Sequence, residues 1–227
     1  MGASRKQSAD APIGRAAADR PRLLVATRSR HKLGELRELL ALERAELVDL
    51  DDVGVAGDVA ETGATFAANA RLKARAGARA SGLPTLADDS GIEVDALGGG
   101  PGVRTRRFAG EDATDEDNNA KLLRALAGLP PEQRGARYVC VLALALPDDA
   151  GPRGGIPVVT VRGTCRGRIA SRPRGTGGFG YDPIFEPASE PPGGRTLGLW
   201  SPEEKHRISH RGAAARRMTP ILRDLGF

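Results

Sequence analysis

RLLVATRSRHKLGELRELL, residues 22–40, is where the folded body of this chain begins. Its opening RLLVAT is short, apolar and unbroken, the pattern of a strand covered on both faces. Leu33, Leu36, Leu39 and Leu40 then recur at helical spacing, so a strand, a polar turn and a helix follow one another. The turn is TRSRHK, Thr27 to Lys32, placed to aim backbone N–H groups and a helix N-terminus at an anion. It lacks the glycines of a P-loop or a dinucleotide fingerprint.

Downstream, residues 46–50 look like a second strand. The alanine-rich stretch from Thr65 to Ser81 reads as a helix with Phe66, Ala70, Ala74 and Gly77 along one side. In PTLADDSGIEV, residues 84–94, apolar segments flank a polar knot, which predicts Asp88, Asp89 and Ser90 at a strand end. Thr114 with Asp117 forms a capping-box pattern that opens a helix to about Ala127. Ala136 to Leu146 is apolar on both alternating faces and marks a central strand, and Val158 to Ile169 is a further strand or hairpin. A Gly- and Pro-rich loop occupies residues 172–183. Ser201, Pro202 and Glu204 supply the N-cap, first-turn proline and capping-box acid of another helix, and Pro220 is expected to bend or interrupt the last one.

A chain of 227 residues, 40% of them hydrophobic, can build a real core as one large domain or two joined lobes. No run approaches the roughly 18 apolar residues of a membrane helix, and residues 1–22 lack the apolar segment of a secretory signal, so cytoplasmic residence is expected. Cys140 and Cys165 form no disulfide framework and are expected as free thiols. Of the net charge of +5, the first 22 residues hold +3, from Arg5, Lys6, Arg15, Arg20 and Arg22 against Asp10 and Asp19. Residues 1–21 lack hydrophobic periodicity and are expected to form a disordered basic extension ahead of a single domain over 22–227.

Adjacent carboxylates at a strand end, as expected for Asp88 and Asp89, can hold a hard cation, and magnesium favours one or two carboxylates plus substrate phosphates. Glu61, before the alanine-rich helix, is a candidate second ligand; taken singly it would be an ordinary helix-start acid. Lys32 and Lys73 are the lysines to set against phosphate oxygens. In GTGGFGYDPIF, residues 175–185, glycines give backbone freedom around Phe179 and Tyr181, and Phe179 can stack on a base. Lys205 with Ser209, His210 and Arg211 forms a polar cluster at helix boundaries. Arg211 donates without accepting, which suits a 6-oxo purine better than adenine.

Read in order, LLVATRSRHKLGEL, ETGATFAANARLKA, ADDSGIEVDALGGGPGV, GTGGFGYDPIF and SPEEKHRISHRG resemble the inosine/xanthosine triphosphate pyrophosphatase family, the non-canonical purine NTP pyrophosphatases, over roughly residues 22–226. The resemblance implies an α/β fold in which a long twisted mixed sheet with flanking helices floors a nucleotide cleft between two lobes, in a homodimer. It implies that Thr27, Arg28, Ser29, Arg30, His31, Lys32 and Lys73 contact phosphates and that Ser90 binds substrate. By the same resemblance Glu61 and Asp89 hold Mg2+, with Asp88 as a candidate third ligand, and Asp89 accepts the proton of the attacking water. Phe179, Gly180, Tyr181, Asp182, Lys205, His210 and Arg211 would enclose the base. Hydrolysis of ITP, dITP and XTP to monophosphate and pyrophosphate is the activity implied, with no membrane and no stable nucleic-acid partner. Two departures stand out: Ser29 where the family usually has Asn, and Thr105, Arg106, Arg107 where it has Ser-Ala-Arg. The rival readings are a related pyrophosphatase acting on pyrimidine or standard nucleotides, and a basic RNA-binding protein. Glu61, Asp88 and Asp89 argue against the second, because carboxylates repel a phosphate backbone unless a cation intervenes.

Overall fold

A computed structural model describes residues 20–57, 59–147 and 156–227, and all but the last two positions of the expected N-terminal extension lie outside them. Six strands form one mixed sheet: β1 (Arg22–Val25), β2 (Glu46–Val48), β3 (Thr85–Val94), β4 (Gly135–Ala145), β5 (Val158–Ile169) and β6 (Phe185–Pro187). Their order across the sheet is β2-β1-β3-β4-β5-β6. β1 runs parallel to both β2 and β3, whereas β3, β4, β5 and β6 pair antiparallel. The α/β expectation holds, with β1, β2, β4 and β5 within two residues of their expected bounds.

One element differs in a way that matters for chemistry. The polar knot of residues 88–90 sits in mid-strand, with β3 continuing unbroken from Thr85 to Val94 and pairing residue for residue with β4. Successive side chains of a strand point to opposite faces, so Asp88 and Asp89 are separated by the sheet itself.

Among the described residues five α-helices cover the sheet, each with the start its sequence encodes. In α1 (Arg30–Leu40) the N-cap Ser29 accepts from the Lys32 N–H. Thr65 caps α2 (Phe66–Ser81), which ends on Gly82 at φ 69°, a conformation glycine adopts without strain. α3 (Asp115–Ala125) and α4 (Pro202–Ile208) carry full capping boxes, Thr114 with Asp117 and Ser201 with Glu204. Ser209 closes α4 and caps α5 (His210–Asp224). Contrary to expectation, α5 runs through Pro220 uninterrupted; Pro220 lies on its exposed side, where water can serve the carbonyl left unpaired.

Burial follows the alternation of β3 and β4. Leu86, Cys140, Leu142 and Leu144 pack with α1 and α5 on one face, while Ala87, Val139, Val141 and Ala143 pack with α2 on the other. A third cluster gathers Ile92, Tyr138, Phe185 and Leu122 at the far end of the sheet. β5 and α5 touch so closely at Gly163 that a Cβ there would lie 2.1 Å from the His210 carbonyl oxygen. Cys140 and Cys165 are free and buried, as expected. Among the described residues no helix is long and apolar enough to cross a membrane.

Candidate active site

A cleft of about 1050 Å³ opens where the turn after β1, the middle of β3, the glycine-rich loop and the α4–α5 junction meet. It brings together Thr27 to Lys32, Glu61, Lys73, Asp88 to Ser90, Phe179 to Asp182, Lys205, His210 and Arg211, while Ser209, named with the last three, caps α5 outside its lining. Their division of labour inside it differs from a single acidic centre.

On the α2 face, Lys73 Nζ lies 2.8 Å from Asp89 Oδ1 and 3.1 Å from Glu61 Oε1. One ammonium thus holds the two carboxylates expected to share a cation. Burial alone would lower the Lys73 pKa, but Asp89 and Glu61 outweigh it and raise it, so the side chain stays charged. Burial lifts the Asp89 carboxyl above the usual aspartate range, against the pull of Lys73. Its second oxygen, Oδ2, is buried without a hydrogen-bond partner among the described residues. An orphaned carboxylate oxygen beside a second carboxylate is a donor set that fits magnesium, which binds through one or two carboxylates and completes its shell with water and substrate phosphates.

On the opposite face, Asp88 is fully enclosed by cations and donors. Lys32 Nζ is 2.6 Å from its Oδ1, Arg211 Nε is 3.2 Å from its Oδ2, and the Ser90 hydroxyl and Cys140 thiol donate to it at 2.9 and 3.0 Å. Burial pushes the Asp88 carboxyl up, yet Arg211 and Lys32 prevail and hold it well below the usual range. No group of three or more His, Cys, Asp or Glu side chains gathers as a metal site among the described residues. The convergence of Glu61, Asp88 and Asp89 on one ion therefore does not form: Asp88 anchors Arg211 and Lys32 instead, with its oxygens spent on them.

At the other end of the cleft, Phe179 is half-buried, with Lys205 Nζ 4.6 Å and Arg211 Cζ 5.7 Å from its ring centroid. The His31 ring stacks on it at 5.5 Å and 21°. His31 thus reaches the aromatic platform, although its place in the TRSRHK turn suggested phosphate. The Asp182 carboxylate receives the Phe179 N–H at 3.0 Å and Lys205 at 2.8 Å. Two side chains one helical turn apart on α3 grip the Gly180 peptide: Asp115 accepts its N–H at 2.6 Å and Asn119 donates to its carbonyl at 3.0 Å. Arg211, 1% exposed, gives its N–H groups to Asp88, Ser90 and Glu35. His210 is buried, and burial together with Arg211 depresses its pKa so that it stays neutral.

Of the departures from the family pattern, Ser29 is the α1 cap and donates its backbone N–H to Thr27. Thr105 accepts from the Ile92 N–H and receives the Tyr181 hydroxyl on its carbonyl, while Arg106 is exposed at the mouth. Arg28 bonds Asp51 and the carbonyls of Val55 and Gly57, tying the turn to the loop beyond β2.

Sequence reasoning missed Glu35, which ties α1 to α4 and α5 by accepting from Lys205 at 2.8 Å and from Arg211. A signal existed: a carboxylate three residues after Lys32, between Leu33 and Leu36 on the buried side of α1. Cys140, Tyr138, Asp115 and Asn119 were missed as well, the first two because they sit in a strand that reads as pure core.

Residues 23–221 match the family model of the Ham1 family. A dITP/XTP pyrophosphatase of Geobacillus kaustophilus is 50% identical over 196 residues, covering 86% of this chain and 91% of that one. Another, of an Anaeromyxobacter species, is 47% identical over 231 residues, covering 89% and 97%. Among solved structures, a HAM1 protein from Coxiella burnetii shares 39% identity and a TM-score of 0.79 over 90% of this chain and 99% of its own. The dITP/XTP pyrophosphatase from Mycobacterium abscessus shares 44% identity and a TM-score of 0.70 over 88% and 99%. A match that runs from the first strand to the last helix, with relatives so similar over nearly their whole length, places this chain in the Ham1 family.

Proposed function

We propose that the chain hydrolyses dITP, ITP and XTP to the monophosphate and pyrophosphate, with Mg2+ as cofactor. The names of the relatives support the reaction. The observation that carries its chemistry is Asp89, a carboxylate lining the cleft whose Oδ1 is held by Lys73, itself bonded to Glu61, and whose Oδ2 has no hydrogen-bond partner among the described residues.

The triphosphate lies between the α1 N-terminus and Lys73. Backbone N–H groups of the first turn of α1, the Thr27 hydroxyl and the two lysines face its oxygens and offset their charge. Water attacks the α-phosphorus as the bond to the bridging oxygen of the β-phosphate breaks, and pyrophosphate departs. Asp89 Oδ2 takes the proton of that water, a task suited to a carboxyl whose proton affinity burial has raised. Asp89 and Glu61 would hold the magnesium, which neutralises phosphate charge and makes its bound water more acidic.

The base stacks on Phe179, in the place that His31 partly covers here. Lys205, neutral His210 and the N–H groups of Arg211 not spent on carboxylates face the base edge, where a 6-oxo purine finds donors and a 6-amino group meets them donor to donor. The family resemblance supports one further part of this reading, a homodimer, and residence in the cytoplasm is proposed with it.

Product identity tests the reaction. Phosphorus NMR of dITP incubated with the protein and magnesium is expected to show dIMP and pyrophosphate in equal amounts. Orthophosphate with dIDP would contradict attack at the α-phosphorus, and intact dITP with salt-sensitive RNA binding would favour the nucleic-acid rival.

A further inference from the structure

We propose that Tyr138 is a positioning residue, one that sets how tightly and how selectively the cleft holds a purine base. The inference rests on the nucleotide reading above and deepens it at the base end of that site.

Tyr138 lies on β4, 7% exposed, in the run YVCVLALA whose other members are aliphatic side chains and one cysteine. Its ring has two aromatic neighbours. It stacks parallel to His210 at 4.6 Å and 8°, and meets Phe185 at 4.7 Å and 52°. A phenylalanine would supply both contacts. The hydroxyl is the part that core packing does not explain, since a buried hydroxyl is costly unless it is bonded.

Its partners are the Tyr181 backbone and Asp182 Oδ1, the latter at 3.2 Å. The other oxygen of that carboxylate receives the Phe179 N–H and Lys205. Tyr138 therefore engages the free side of the one carboxylate that pins the aromatic platform and a base-edge lysine, and so limits rotation of the carboxylate plane. His210 depends on the same ring for its orientation. Its Nδ1 is buried and has no hydrogen-bond partner among the described residues, so stacking on Tyr138 is what holds the imidazole face. A single side chain, placed behind the base slot, thus braces Asp182 by its hydroxyl and His210 by its face.

The test is Tyr138→Phe, which keeps both ring contacts and deletes the hydroxyl. The KM for dITP is expected to rise about two- to tenfold, the range corresponding to the net worth of one hydrogen bond, with kcat moving by less. The preference for dITP over dGTP in kcat/KM is expected to fall. In an Asp182→Asn background the same change should shift KM by a smaller factor, because the carboxylate it acts through is gone. A folded Tyr138→Phe protein that keeps the original KM and preference overturns the inference and leaves the pyrophosphatase reading standing. So does a KM rise accompanied by a lowered melting temperature and an unaltered preference, or a variant that fails to fold, since the hydroxyl would then serve the fold alone. Failure of the unaltered protein to release pyrophosphate from dITP removes both readings.

Discussion

Asp88 and Asp89 are neighbours in the chain and work on opposite faces of β3: Lys32 and Arg211 close on the first, Lys73 and Glu61 on the second. Alternation along a continuous strand produces this separation. It also divides the roles, because Asp88 has its oxygens bonded whereas Asp89 keeps one oxygen without a hydrogen-bond partner among the described residues. The two aspartates should therefore respond differently to the same conservative change.

Asp89→Asn is expected to lower kcat at least about 100-fold while the melting temperature stays within a few degrees, because the change removes the proposed base and its carboxylate sits in a costly buried position. Pyrophosphate release and a thermal melt on the same sample check it. Turnover near the original rate would remove Asp89 from the chemistry.

Asp88→Asn is expected to destabilise the fold by about 3–5 kcal/mol, because it leaves the buried Arg211 guanidinium without its main counter-charge. Urea unfolding measures this. A stability equal to that of Asp89→Asn would mean that the cluster around Asp88 is not the anchor described here.

Much of this was legible beforehand and some was not. The caps at Thr114 and Ser201 were visible because a cap is a local event, decided by one side chain and the next turn. The bounds of β4 and β5 were visible because both faces are covered and their apolar runs are unbroken. Asp88 and Asp89 misled, since a charged pair looks like a strand end until its counter-ions are known, and Lys32, Lys73 and Arg211 arrive from three different helices. The partners of Glu35 and Tyr138 were illegible for the related reason that Arg211 and Asp182 lie 176 and 44 residues away.

Glu35 gives the fold a pH dependence. Burial pushes its carboxyl up, but Arg211 and Lys205 together hold it below the ordinary glutamate value. A depressed folded pKa contributes stability that is complete above the unfolded value of about 4.3 and is lost as pH falls through the folded one. Glu35→Gln should thus cost about 1–3 kcal/mol at pH 7, with the gap between variant and original narrowing below about pH 4.3. Unfolding curves from pH 7 to 3 show this; a gap constant across that range would contradict the pairing.

Gly163→Ala probes the contact between β5 and α5. The added Cβ would lie 2.1 Å from the His210 carbonyl and 2.4 Å from the Ala214 nitrogen, both backbone, so the helix carrying His210 and Arg211 must move. A loss of at least about 1–3 kcal/mol is expected, with a rise in KM for dITP. A variant of unchanged melting temperature and KM would show that α5 need not sit so close.

The central claim is that a 6-oxo purine without a 2-amino group is read at Phe179, Lys205 and His210 while Asp89 directs water to the α-phosphate. Its most direct test is kcat/KM for dITP against dATP, dGTP and dTTP, in magnesium and again with a chelator. The account predicts a preference for dITP of at least about tenfold over each, the factor one mismatched buried polar group imposes, and no turnover with any of them once the metal is removed. Comparable rates on dITP and dTTP, or undiminished turnover in the chelator, would contradict it.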